Sequence, residues 1–376
     1  MHTLSDHRTA RIKRSFTTRR VRADHLRTLD AEATDLRPGD LVLAKITGLG
    51  QHRRIELPDG RRAHLFPGDE VLLACGARYA PDQFEADCPT GVGPAHLAAA
   101  GGVAGVVCES HDRMRSATAI EILGAVCDGR GRRLTLRDYA ISPHCGLPTS
   151  SRPAVVAVCG TSMNAGKTFT AASWARGFAL GGHTVAAVKL TGTGAGGDLW
   201  QFKDAGAHWA ADFTDAGFAT TYRAQLEDIL AAHRTLIRAA TARGAEVVVV
   251  EIADGLAQSE TAALLRSAEF RGEISGVLFA AADSLGAGAG VNWLRAAGHN
   301  VLGVSGVLAR SPLAMRETRE LTEAPCLTAQ DLSDPGIARS LAGLGADIAP
   351  PAVAASPVVA DSVVADPVVA ERACAA

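Results

Sequence analysis

The stretch VCGTSMNAGKTFTAASWARG (158–177) places a lysine and a threonine directly behind a glycine, after a strand-like apolar run. Such text can cradle phosphates: loop N–H groups and a helix N-terminus converge on the anion, glycine lets the backbone come close, and the lysine adds a point charge. The usual spacing G-x-x-x-x-G-K-[ST] needs a glycine at position 161, where Thr161 stands; here the glycine comes one residue early, at Gly160. Gly160, Thr161, Asn164, Ala165, Gly166, Lys167 and Thr168 are the residues this reading assigns to the phosphates. Glu251 is a further candidate, because it ends the apolar run EVVVVE, where an unpaired carboxylate is costly and a magnesium ion or substrate would relieve it. Lys189 and Asp198, in AAVKLTGTGAGGDLW, offer a cation at a strand end and a carboxylate in a glycine-rich loop. Asp212 and Asp215 read equally as helix caps or ligands. His183 and His208 read as structural.

The elements around these residues follow from periodicity. From Ala154 onward, near-continuous apolar runs (AVVAVC, TVAAVK, EVVVVE, ISGVLFAA, NVLGVSGVLA) alternate with helical text such as TFTAASWARGFAL and YRAQLEDILAAHRTLIRAATARG. Uninterrupted apolar strands alternating with helices predict an α/β fold, a P-loop parallel sheet covered by helices, over 154–348. Before it, residues 37–145 are punctuated by turn signals, with the short runs DLVLAKI, RRIEL, RAHLF, EVLLA, TAIEILGAV and RLTLRDY between them. They predict a small N-terminal β-rich domain, barrel or sandwich, with a hairpin at Asp59-Gly60. The loop RYAPDQFEAD reads as a connection, with a binding loop as the alternative. SPHCGLPTSSRP (142–153) marks the domain boundary. Residues 1–36 open with eight Arg or Lys against two Asp by position 27 and read as a basic flexible arm; the pentapeptides of 349–376 read as a disordered tail.

With the loop, Lys189, Asp198 and Glu251 in place, the spacing G-T-x-x-x-x-G-K-T resembles the phosphate loop of dethiobiotin synthetase and its relatives, the ATP-dependent class that includes cobyric acid synthases and septum-site ATPases. The resemblance covers roughly 154–330. It implies that Lys189 lies near substrate and phosphates, that Thr168, Asp198 and Glu251 hold magnesium, and that Lys167, Lys189 and Glu251 are catalytic. Departures are the Ser162 in place of the second loop lysine of the septum-site ATPases and the missing glycine turn at Ile252-Ala253. KLTGTGAGGD and DAGAHWAADFTDAG also look like the domain-of-unknown-function proteins linked to D-glutamate N-acetylation, whose loop serves an acyl-CoA. Retention of Thr168, like a nucleotide hydrolase's magnesium ligand, favours a nucleoside triphosphate.

The expected function is therefore an ATP- and magnesium-dependent, ligase-like enzyme that activates a small carboxylate or carbamate by phosphoryl transfer for attack by an amine. The alternatives are an acyl-CoA-dependent amino-acid N-acyltransferase, and a nucleotide-dependent switch or cofactor-biosynthesis accessory protein such as those serving molybdopterin-guanine dinucleotide. No N-K-x-D motif favours GTP. A formal charge of -2 over 376 residues gives no global attraction to nucleic acid, and no apolar run of membrane length or signal-peptide start appears, so a cytoplasmic protein without nucleic-acid or membrane partners is expected. Eight cysteines without a C-x-x-C pair read as reduced and structural. A small-molecule substrate is the expected partner, and a homodimer stays open.

Overall fold

The computed structural model describes residues 2–144 and 152–344. Most of the link expected at the domain boundary, and the tail over 349–376, lie outside the described residues. In the N-terminal half the strands are β1 (His2–Thr3), β2 (Lys13–Arg14), β3 (Thr28–Asp30), β4 (Leu41–Gly48), β5 (Arg54–Glu56), β6 (Arg62–His64), β7 (Glu70–Cys75), β8 (Phe84–Asp87), β9 (Gly93–Ala99), β10 (Val103–Ser110) and β11 (Thr118–Cys127), with one short helix, α1 (Asp6–Arg11). β4 pairs with β7, β7 with β10, β10 with β9, β9 with β11 and β11 again with β4. The pairings close on themselves, so the β-rich unit is a five-stranded barrel. Alternation fills it: Val42, Ala44, Ile46, Val71, Leu73, Leu97, Ile120 and Ile122 form one apolar cluster inside. β5 and β6 form the expected hairpin around Asp59-Gly60. The run RLTLRDY is a bridge and a 3-10 turn, Leu136–Tyr139, rather than a strand.

The basic arm expected over 1–36 is built into the fold instead. β1 pairs with β3, β3 with β11, and β2 with β7. Leu4, Ile12, Phe16, Val21 and Leu26 are buried, and their burial outweighs the charge. The arginines are neutralised locally, Arg8 by Glu70 at 2.6 Å and Arg19 by Asp212 at 3.0 Å and Asp215 at 2.5 Å. Asp212 and Asp215 thus anchor this N-terminal segment to the second half of the chain.

That half holds β12 (Ala154–Gly160), α2 (Lys167–Leu180), β13 (Val185–Lys189), α3 (Gly197–Asp204), β14 (Trp209–Asp212), α4 (Leu226–Thr241), β15 (Val247–Glu251), α5 (Ser259–Arg266), α6 (Ala268–Glu273), β16 (Gly276–Ala280), α7 (Ser284–Ala296), β17 (Val301–Ser305), α8 (Pro312–Thr322), α9 (Ala329–Leu332) and α10 (Pro335–Leu341). The six strands are all parallel, in the order β14-β13-β15-β12-β16-β17. β15 explains the apolar runs. Val248 and Val250 join the core under α4, α5 and α7, whereas Val247 and Val249 join the core under α2 and α3, so neither face tolerates a polar residue.

One buried titratable group in this core gives a stability prediction. His233 on α4 is 1% exposed, packs edge-on against Phe270, and burial lowers its pKa to about 4. Its folded pKa lies below the unfolded value, so the stability it contributes is present above about pH 6.5 and is lost as pH falls toward 4. Chemical denaturation should show roughly 2 kcal/mol lost to this group between pH 6.5 and 5. His233→Leu should flatten that part of the profile; an unchanged slope would refute the assignment.

Candidate functional site

β12, β13 and β15 lie side by side and parallel, so whatever follows their C-terminal ends meets in one crevice. β12 delivers the loop 161–166 and the start of α2. The early glycine has a reason: Gly160 is the last residue of β12, and a Cβ there would come within 2.6 Å of Ala280 O and 2.9 Å of the Lys167 stem. Gly166 caps α2 with φ +94°, a conformation only glycine adopts without strain. Among the described residues, no acceptor takes the amides of Met163, Asn164, Gly166, Lys167 or Thr168. These N–H groups form a nest at a helix N-terminus, which attracts an anion. The amides of Thr161 and Ala165, expected in the same set, are engaged instead, by Ala280 O at 3.0 Å and Ser162 O at 3.3 Å. Lys167 Nζ donates to Ser162 O at 2.7 Å.

β13 ends in Lys189 and β15 in Glu251, and the two are register partners. The Gly192–Gly197 loop brings Asp198, in the first turn of α3, between them. The Thr168 hydroxyl lies 3.1 Å from Asp198 Oδ1 and 3.0 Å from Glu251 Oε1, and its one proton serves one of them at a time. Lys189 Nζ donates to Asp198 Oδ2 and sits 3.9 Å from Glu251 Oε1. The four residues picked out by spacing and resemblance thus meet in one cluster.

Electrostatics follow from burial and sign. Glu251 is 1% exposed, and desolvation, then Asp198, push its carboxyl up to about 7 against the pull of Lys189, Lys167 and Thr168. Burial alone would also raise Asp198, yet Lys189 outweighs it and holds the carboxyl below its ordinary value. Lys189 is held above its ordinary value because Asp198 and Glu251 overcome its burial. Lys167 is lowered by burial, opposed by Glu251 and Asp254. One atom of the cluster stays unpaired: among the described residues, Glu251 Oε2 is buried with no hydrogen-bond partner. A buried carboxylate oxygen in that state costs free energy that a cation or ordered water would recover.

The structure also brings in residues that spacing did not reveal. Asn164 Nδ2 donates to Asp82 Oδ2 at 2.7 Å, so the RYAPDQFEAD loop of the barrel reaches the phosphate loop. Gly196 N donates to Glu56 Oε2 at 2.8 Å. Val307 N donates to Ala165 O at 3.0 Å, and Gly306-Val307, after β17, borders the loop beside the exposed Phe169 and a cavity of about 290 Å³. The mixture of aromatic and charged residues in RYAPDQFEAD was the available signal for the first; the others carried none.

Among the described residues, no group of three or more His, Cys, Asp or Glu is placed to hold a metal ion by itself, and no helix is long and apolar enough to cross a membrane. No protein-family model matches the chain, and no curated protein matches it. Among solved structures, signal recognition particle 54 kDa protein from Aeropyrum pernix K1 in complex with GDP is similar at 20% identity and TM-score 0.35, over 54% of this chain and 49% of that one. Signal recognition particle receptor FtsY from Elizabethkingia anophelis in complex with GDP is similar at 15% and TM-score 0.34, over 52% and 65%. FtsY from Mycoplasma mycoides gives 14% and 0.32, over 52% and 69%. The chain thus spans about half the first protein's length.

Proposed function

We propose that the chain is a nucleoside-triphosphate- and magnesium-dependent enzyme that activates a small carboxylate or carbamate by phosphoryl transfer for attack by an amine, with ATP as the nucleotide. The observation that carries this reading is the cluster of Thr168, Asp198, Glu251 and Lys189 against a loop and helix start where, among the described residues, the amides of Met163, Asn164, Gly166, Lys167 and Thr168 are unengaged. The donor set fits magnesium: a hydroxyl and two carboxylates are hard oxygen ligands, one carboxylate oxygen is orphaned, and the phosphates and water would complete the shell. Magnesium held there by Thr168, Asp198 and Glu251 would neutralise charge on the phosphate oxygens. The loop amides and Lys167 would bind the phosphates. Lys189, fixed by Asp198, would present a cation to the transferred group and to the incoming acid. Catalysis on this reading is positioning plus preorganised charge.

A melting series on the full chain with ATP, GTP and acetyl-CoA, with and without magnesium, tests it. A ligand that binds only the native state, at about 100 times its dissociation constant, adds about 2.7 kcal/mol, enough for a clear rise in melting temperature. ATP with magnesium should give the largest shift. Stabilisation by acetyl-CoA alone, indifferent to magnesium, would overturn the proposal in favour of N-acyl transfer; slow hydrolysis stimulated by a protein partner would favour a switch.

A further inference from the structure

A second cavity, of about 530 Å³, lies between the β5–β6 hairpin, the loop that starts at Arg78, and the Gly192–Asp198 loop. That volume suits a small organic ligand. Both halves of the chain build its wall. In β5 and β6 the period-two alternation sends Ile55 and Ala63 into the barrel core and leaves Arg54, Glu56 and Arg62 on the other face. The hairpin is clamped over α3, where a Cβ on Gly60 would lie 2.6 Å from the Trp200 ring. Its counterpart approaches as closely: a Cβ on Gly101 would lie 2.1 Å from Gly194 O, which accounts for the glycine-rich text on both sides of the seam.

The charge of this wall is net positive. Glu56 is committed to Gly196 N, and Asp198 to Lys189 and Thr168. Arg53, Arg54, Arg62 and Arg78 also line the cavity, and among the described residues none of them has a carboxylate within ion-pair distance. Arg78 is the strongest indication. It is 6% exposed; among the described residues its guanidinium meets Ala98 O, Gln83 Oε1 and, at 3.1 Å, His52 Nε2, and its Nε is buried without a partner. His52 beside it is kept neutral by burial and by Arg78. The remaining acid facing the space is Asp254, and it and Asp82 act on Arg78 only from beyond ion-pair distance. A buried guanidinium without an ion-pair partner, with three exposed ones at the rim, is a favourable arrangement around an anion.

We propose that this cavity binds a small organic molecule bearing two or more acidic groups, gripped by Arg54, Arg62 and Arg78 with one acidic group turned toward Lys189. Its role as the acid activated by the nucleotide rests on the function proposed above; the binding itself does not. Citrate in magnesium-free buffer is the probe, with glycerol as the uncharged control, read by calorimetry and melting on the full chain. Citrate should bind and stabilise the protein, and Arg54→Glu/Arg62→Glu should weaken it at least about tenfold while keeping magnesium-ATP affinity. Arg61→Glu, outside the cavity, should leave citrate affinity unchanged. Lys167→Met should lose the nucleotide and keep citrate. No citrate binding by the unmodified chain, an equal loss in Arg61→Glu, or loss in Lys167→Met with the hairpin variant unaffected would each overturn the proposal, the last by placing citrate on the phosphate loop. Should the double variant fail to fold, Arg54→Gln and Arg62→Gln singly are held to the same criteria. Failure of ATP to bind would sink the proposed reaction and leave the citrate result standing.

Discussion

Lys167→Met is expected to lower affinity for magnesium-ATP by about two to three orders of magnitude, measured by fluorescence titration with a labelled nucleotide. Methionine keeps the apolar stem that packs beside Gly160 and removes only the cation. That cation is 6% exposed and sits at the mouth of a nest of unengaged amides, so its field on a bound phosphate is little screened by water. A screened surface lysine would be worth about tenfold or less. A loss of that smaller size would mean that the phosphates do not rest on this loop, whatever else the protein binds.

Thr168→Val and Glu251→Gln should each slow nucleotide-dependent turnover about a hundredfold or more and weaken its dependence on magnesium. Valine retains the shape of threonine without the hydroxyl that lies 3.0 Å from Glu251; glutamine retains the size of Glu251 without the charge. Because both would serve one ion, the double variant should cost much less than the sum of the two effects. Strictly additive losses with an unchanged magnesium dependence would count against the phosphoryl-transfer mechanism even in a protein that binds ATP. Under N-acyl transfer, Thr168→Val would be mild, and Glu251→Gln could still be severe if that carboxylate takes a proton from the attacking amine.

Where local physics is sufficient, the sequence was informative. A run such as Val247–Glu251 has one stable use, a parallel strand covered on both faces, and a Gly-Lys-Thr directly after such a strand has few uses other than an anion cradle. The Asp59-Gly60 hairpin was equally legible, because its turn chemistry is local. Strands β9 and β10 were not. GPAHLAAAGGVAGVVCES is rich in Ala and Gly, whose strand signal is weak, and these residues are strands because the barrel pairs them. The basic segment 1–36 was misread for a related reason: counting charge hides the apolar residues between the arginines, and only the fold supplies Glu70, Asp212 and Asp215 to neutralise them.

The sequence by itself therefore determined the α/β sheet, the phosphate loop and the identity of Lys167, Thr168, Lys189, Asp198 and Glu251 as candidates, since periodicity and short spacings encode elements within a few residues of one another. The tertiary structure alone decided that the barrel presses its hairpin and its Gly101 turn against the glycine-rich loop, enclosing a cavity lined by four arginines that have no ion-pair partner among the described residues. Those contacts join residues 93 and 140 positions apart, through close backbone approach and a backbone-to-carboxylate hydrogen bond that leave no period in the text.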